Sequence, residues 1–122
     1  DLVLFSAGVK PELTLARKAG LAIGESGGLH VDDHLRTSDP DIYAAGDMIE
    51  VGHRVSGKPV RIPLAGPANR QGRIAATNAL GGDLKYTGAT ATSVVKVFEY
   101  TAAMAGLSER ALAQSGQSTG RR

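Results

Sequence analysis

The chain contains no cysteine and no tryptophan. Without cysteine there is no disulfide framework, no thiolate nucleophile and no cysteine-based metal site within these residues. Aromatic side chains are scarce, with two Phe and three Tyr, so a core must be built from aliphatic groups. Charge of one sign is lacking too: 14 Lys and Arg against 12 Asp and Glu leave a formal charge of +2, part of it from Arg121-Arg122. That balance gives no general attraction to nucleic acid. No apolar run reaches membrane-spanning length and no signal-peptide pattern is read, which sets the cytoplasm as the expected compartment.

What is present is a chain of 122 residues, 42% hydrophobic, with 16 glycines spread over turns and helix ends. This is room for one modest domain or for parts of two. The glycines suit close backbone packing or a nucleotide-binding layout. The sequence opens directly into apolar Asp1-Leu2-Val3-Leu4-Phe5 and ends in polar Ser115 to Arg122. Domain boundaries fall in exposed polar segments, so a fragment of a larger α/β protein is expected.

Along the chain, Leu2 to Ala7 reads as a buried strand that runs into Gly8. A short helix follows Pro11, with Glu12 in its first turn, Arg17-Lys18 in its last, Leu13 and Ala16 inward and Gly20 as terminator. Gly24 to Gly28 is a loop, and Leu29-His30-Val31 and Ile42-Tyr43-Ala44-Ala45 are short strands, the second ending at Gly46-Asp47. Residues 51–62 form an irregular connection or a hairpin. A helix is predicted from about Pro67 to Leu80, with Leu64, Ala68, Gly72, Ala75 or Ala76, and Ala79 as its inward stripe. Residues 93–104 make one long strand or a hairpin, and Arg110 to Gln114 starts another helix.

The segment most open to chemistry is Thr37-Ser38-Asp39-Pro40-Asp41-Ile42-Tyr43-Ala44-Ala45-Gly46-Asp47. A carboxylate just past a short strand stands at the sheet edge where ligands bind in open α/β folds, and it can accept hydrogen bonds from ligand hydroxyls. The other reading of Gly46-Asp47 is a plain turn.

This segment resembles the second FAD-binding motif of the pyridine nucleotide-disulfide oxidoreductase superfamily. Phe5-Ser6-Ala7-Gly8-Val9-Lys10-Pro11 is similar to the glycine motif that leads from the NAD-binding domain back to the FAD-binding domain. Pro63-Leu64-Ala65-Gly66-Pro67-Ala68-Asn69-Arg70-Gln71-Gly72-Arg73 resembles the flavin-facing helix start of the branch with NADH oxidase, NADH peroxidase and coenzyme A disulfide reductase. Gly88, Thr92 to Phe98 and Ala105 to Glu109 look like the entry to that branch's dimerisation domain.

The resemblance implies an α/β fold: a partial Rossmann-like FAD/NAD(P)-binding domain followed by the start of an α+β dimerisation domain. Residues 1–84 would close the FAD-binding domain, 85–114 would begin the dimerisation domain and 115–122 would be a disordered tail. It implies FAD as cofactor and NADH or NADPH as co-substrate of the parent protein, with a small disulfide, peroxide or oxygen as acceptor and a homodimer as assembly. Asp47 would bind the ribityl chain, with Gly46 allowing close approach. Leu64, Ala65 and Ala68 would bring the positive helix end to the flavin, where N–H groups without partners suit developing negative charge. Gly8 would serve the cofactor domain at the crossover. The Gly-x-Gly-x-x-Gly fingerprints and the redox cysteine of the family are absent from this segment, so the isolated chain is expected to be inactive. The alternative is a non-catalytic dimerisation or interaction module.

Two further groups compete for attention. His30, Asp32 and His34 have metal-ligand chemistry, but the run is read as an exposed polar loop. Arg54, Lys58, Arg61, Arg70 and Arg73 form a loose basic group that could suit RNA or a phosphate ligand, although no aromatics interleave with them to stack bases.

Overall fold

In the computed structural model, which describes residues 1–115, three helices and five strands follow one another. Their order is α1 (Thr14–Lys18), β1 (Leu29–His30), β2 (Ile49–Gly52), β3 (Pro59–Val60), α2 (Ala65–Ala79), β4 (Ser93–Val97), β5 (Tyr100–Met104) and α3 (Glu109–Ser115). β1 pairs parallel to β2, and β2 pairs antiparallel to β3 with Val51 opposite Val60. Residues 51–62 are thus a hairpin, with proline-bearing β3 at the edge of the sheet. Together with the helix laid against this sheet, the arrangement is a mixed α/β fold.

The core is aliphatic, as the composition requires. Val31, Leu35, Ile49, Val51, Ile62, Ile74, Ala75 and Tyr86 form one buried cluster, and Leu13, Ala16 and Leu29 form a second beneath α1. α1 starts at Thr14, later than expected. Glu12 precedes it and accepts a hydrogen bond from the Thr14 N–H at 2.7 Å. Leu13 and Ala16 face inward, Arg17 and Lys18 occupy the last turn, and Gly20 at φ 72° ends the helix in the left-handed region.

Three expectations are corrected. Residues 2–7 form no strand: Leu2, Val3, Leu4 and Phe5 are all at least 87% exposed. An apolar run becomes a strand only beside a partner ladder, and the described residues offer it none. Residues 42–45 are not a strand either. They carry a single bridge, Arg36 to Tyr43, and β2 starts after Gly46-Asp47 instead of ending there.

The third correction concerns α2, which spans Ala65–Ala79 with Leu64 as an extended N-cap. Gly72, Ala76 and Ala79 are exposed, and the inward face is Gln71, Ile74, Ala75 and Asn78. The small-residue stripe was displaced by two polar side chains that find buried partners. Asn78 Nδ2 donates to the carbonyls of His34 and Leu84, and its Oδ1 accepts from the Leu84 N–H, all at 2.8 Å.

The connector after α2 stays tied to this body, because the Tyr86 N–H donates to the Asp33 carbonyl at 2.7 Å and the Tyr86 ring is buried. Residues 93–104 form a hairpin, with Val97 opposite Tyr100 and Phe98 at φ 51° in the tight turn between them. Its side chains are largely exposed, among them Val94, Phe98 and Tyr100. The expected disordered tail lies outside the described residues, except for Ser115, which closes α3.

Candidate functional site

The Gly46-Asp47 turn is positioned from two directions. Gly46 adopts φ 87°, which favours glycine, and its carbonyl accepts from the Ile49 N–H at 3.2 Å as the chain enters β2. From the other side, Gln71 Oε1 on α2 accepts the Gly46 N–H at 2.8 Å. Gln71 is only 1% exposed, so this bond forms away from water and fixes the turn against the helix. A Cβ at Gly46 would lie 3.9 Å from the Ala68 Cβ, which shows how closely the turn meets the first part of α2. Gln71 was missed as a site residue. Its one sequence signal was a polar residue three positions before Ile74 and seven before Asn78 on a single helix face.

The expected site residues therefore divide. Gly46, Asp47, Leu64, Ala65 and Ala68 are brought to one region, the turn before β2 and the start of α2. Asp47 is exposed, while Gly46, Leu64 and Ala68 are half-buried. Gly8 is not brought into this group by any described contact: it is exposed at φ 74° with nothing packed around it.

The start of α2 has a chemical consequence of its own. Leu64 caps it without a side-chain hydrogen bond, and Pro67 has no N–H to satisfy. Leu64 N–H donates to the Ile62 carbonyl and Ala68 N–H to the Leu64 carbonyl. Among the described residues this leaves the Ala65 and Gly66 N–H groups without acceptors at the positive end of a 15-residue helix. Polarised donors thus stand beside an exposed turn carboxylate and a left-handed glycine.

The other glycine-rich segment serves packing. The Gly24–Gly28 loop closes on the buried carboxylate of Glu50: Ser26 N–H donates to Glu50 Oε2 at 2.5 Å, and Arg61 Nε holds the Ser26 carbonyl at 3.1 Å. A Cβ at Gly24 would overlap that carboxylate.

The polar run at 30–34 is also built into the fold. Asp32, Asp33 and His34 each bring a possible ligand atom within 4.8 Å of the others, whereas His30 is not in that group. His30 Nδ1 stands 4.0 Å from Glu50 Oε1, and Asp32 Oδ1 accepts the His34 and Arg36 N–H groups. His34 lies between Asp33 and Asp83, each at 2.8 Å. Lys85 Nζ reaches Asp33 at 2.9 Å, and this hydrogen bond holds the Asp33 carboxyl below its usual range while raising Lys85 above its own.

The family model for pyridine nucleotide-disulphide oxidoreductases matches residues 1–72. The chain is 36% identical over 116 residues, 95% of its length, to a CoA-dependent NAD(P)H sulfur oxidoreductase of Pyrococcus abyssi, and covers 26% of that protein. It is 30% identical over 93% of its length to a coenzyme A disulfide reductase of Staphylococcus aureus, again covering 26% of it. Among solved structures, it superposes on 20% of an NAD-dependent persulfide reductase from A. fulgidus with TM-score 0.86 and 45% identity over 89% of this chain. It superposes on 21% of a reduced CoADR-RHD protein of Bacillus anthracis with TM-score 0.87 and 45% identity over 97% of this chain. The chain spans about a quarter of the length of the curated relatives it matches.

Proposed function

The chain belongs to the pyridine nucleotide-disulphide oxidoreductase family, and on that premise we propose that it supplies one wall of the FAD site in an NAD(P)H-dependent oxidoreductase. The observation that carries the proposal is the Gly46-Asp47 turn, locked by buried Gln71 onto the uncapped start of α2. In this reading the Asp47 carboxylate accepts hydrogen bonds from the hydroxylated chain of the cofactor. The Ala65 N–H and the positive end of the helix dipole stabilise negative charge at the flavin ring, and Leu64 and Ala68 pack beneath it. Bound FAD supplies the two-electron step between a nicotinamide and the acceptor.

The acceptor proposed for the whole protein is a small disulfide, with a peroxide or oxygen as the other members of the class. Relatives named as coenzyme A disulfide reductase and NADH oxidase support that range. This chain holds no cysteine, so a thiol step would use residues outside it. The exposed apolar side chains of the β4–β5 hairpin support a homodimer as the working assembly. Among the described residues no helix is long and apolar enough to cross a membrane.

The test is the flavin content of the purified full-length protein and of its Asp47→Ala variant. Asp47 is exposed, so the variant should fold and lose most of its bound FAD. Equal flavin occupancy in the two proteins would sink the assignment.

A further inference from the structure

On the other flank of α2 the fold assembles a cleft that the flavin reading does not use. At about 100° per residue, Arg70 projects roughly 200° round the helix from Ala68, so the cleft and the Gly46-Asp47 turn lie on opposite sides. Its volume is about 310 Å³, and Arg54, Arg70, Gly66, Tyr86 and Thr90 are among its lining residues. That size is at the lower end of the range for small-molecule sites.

Four features converge on one ligand chemistry. Arg54 lies just beyond β2 and Arg70 is on α2, yet folding makes both residues line the same cleft. Neither has an ion-pair partner among the described residues, and no carboxylate lines the cleft. Two arginines with no carboxylate give the cleft a positive lining, which favours an anion. The Gly66 N–H, free at the positive helix end, is part of the same wall. Tyr86 also lines the cleft; it is 6% exposed, and its hydroxyl is buried without a hydrogen-bond partner, which is costly unless something answers it. Two arginines beside a helix start are the chemistry that favours a tetrahedral dianion.

We propose that this cleft is a binding site for the phosphate group of a small phosphate ester, separate from the flavin surface. The cleft exceeds what a bare phosphate fills, which favours an ester over the free ion.

The experiment uses the full-length protein. Calorimetric titration with ribose 5-phosphate, and separately with inorganic phosphate, is run at constant ionic strength on the wild type, Arg54→Gln, Arg70→Gln and the double variant. Both arginines are exposed, so the variants should keep the wild-type circular dichroism. The expected result is saturable binding of ribose 5-phosphate, weakened at least tenfold by each single change, with Tyr86→Phe giving a smaller loss. Inorganic phosphate binding with the same arginine dependence supports the site with the free ion as an occupant. Undiminished binding in the double variant, equal competition by chloride, or no saturation by either probe at millimolar concentration overturns it. Flavin absorbance is recorded on the same samples. A colourless protein that retains arginine-dependent phosphate binding would refute the flavin reading and leave this site standing.

Discussion

Asn78→Ala should destabilise the protein by about 3–5 kcal/mol. Asn78 is 5% exposed and joins three segments: α2 itself, the turn at His34 and the connector at Leu84. Alanine is a good helix residue, so local propensity opposes the loss. The substitution removes three hydrogen bonds, each worth roughly 1 kcal/mol net, and strands two carbonyls and one N–H, which carries the total toward the upper figure. A domain with about 5–15 kcal/mol of stability would lose a large share of it. Asn78→Asp is the informative companion. It keeps the acceptor for the Leu84 N–H but sets a carboxylate oxygen against the two carbonyls, and should be at least as damaging. Urea denaturation would show the midpoint falling at unchanged slope, and amide exchange at Leu84 should rise in parallel. A loss below about 1 kcal/mol in both variants would refute the reasoning, since the bonds would then not be holding the connector.

Gly88→Ala is expected to be severely destabilising, because Gly88 has φ 79° and a Cβ there would overlap the Gly52 carbonyl oxygen. A thermal melt matching that of the wild type would contradict it. The Asp33–Lys85 pair should be visible by pH. The Asp33 carboxyl is held low, so its contribution is present above about 3.9 and is lost as pH falls through its depressed value. The Lys85 ammonium is raised, so its contribution is full below about 10.4 and is lost as pH rises through the raised value. Carboxyl NMR should show Asp33 titrating higher in Lys85→Ala, and an unmoved midpoint would disprove the coupling. The isolated 122-residue chain, mixed with FAD and NADH, should oxidise NADH no faster than free flavin with oxygen or a disulfide present. Turnover above that control would reveal a site beyond those described here.

Local patterns carried much of this protein. Gly20 as a helix terminator and the existence of α2 follow from interactions within a few residues, and residues 93–104, open in sequence as one strand or a hairpin, are the hairpin. The Thr37–Asp47 and Pro63–Arg73 motifs pointed to the family for a related reason. A Gly-Asp turn and an uncapped, proline-bearing helix start are conformational demands that show directly as residue types.

What only the tertiary structure decided lies in contacts between distant positions. Periodicity assigns a polar residue to the outside because transferring it into the core without a partner is unfavourable, and Gln71 and Asn78 reverse that assignment. Their partners are Gly46 and His34, 25 and 44 residues earlier in the chain. The same applies to Leu2–Phe5, whose apolar pattern specifies a strand that the described residues give no ladder to join. Arg54 and Arg70 also share a cleft only because β2 and α2 pack around one core. A sequence specifies which groups need partners, and the packed fold determines which groups meet, because desolvation makes a buried hydrogen bond favourable only once both ends arrive together.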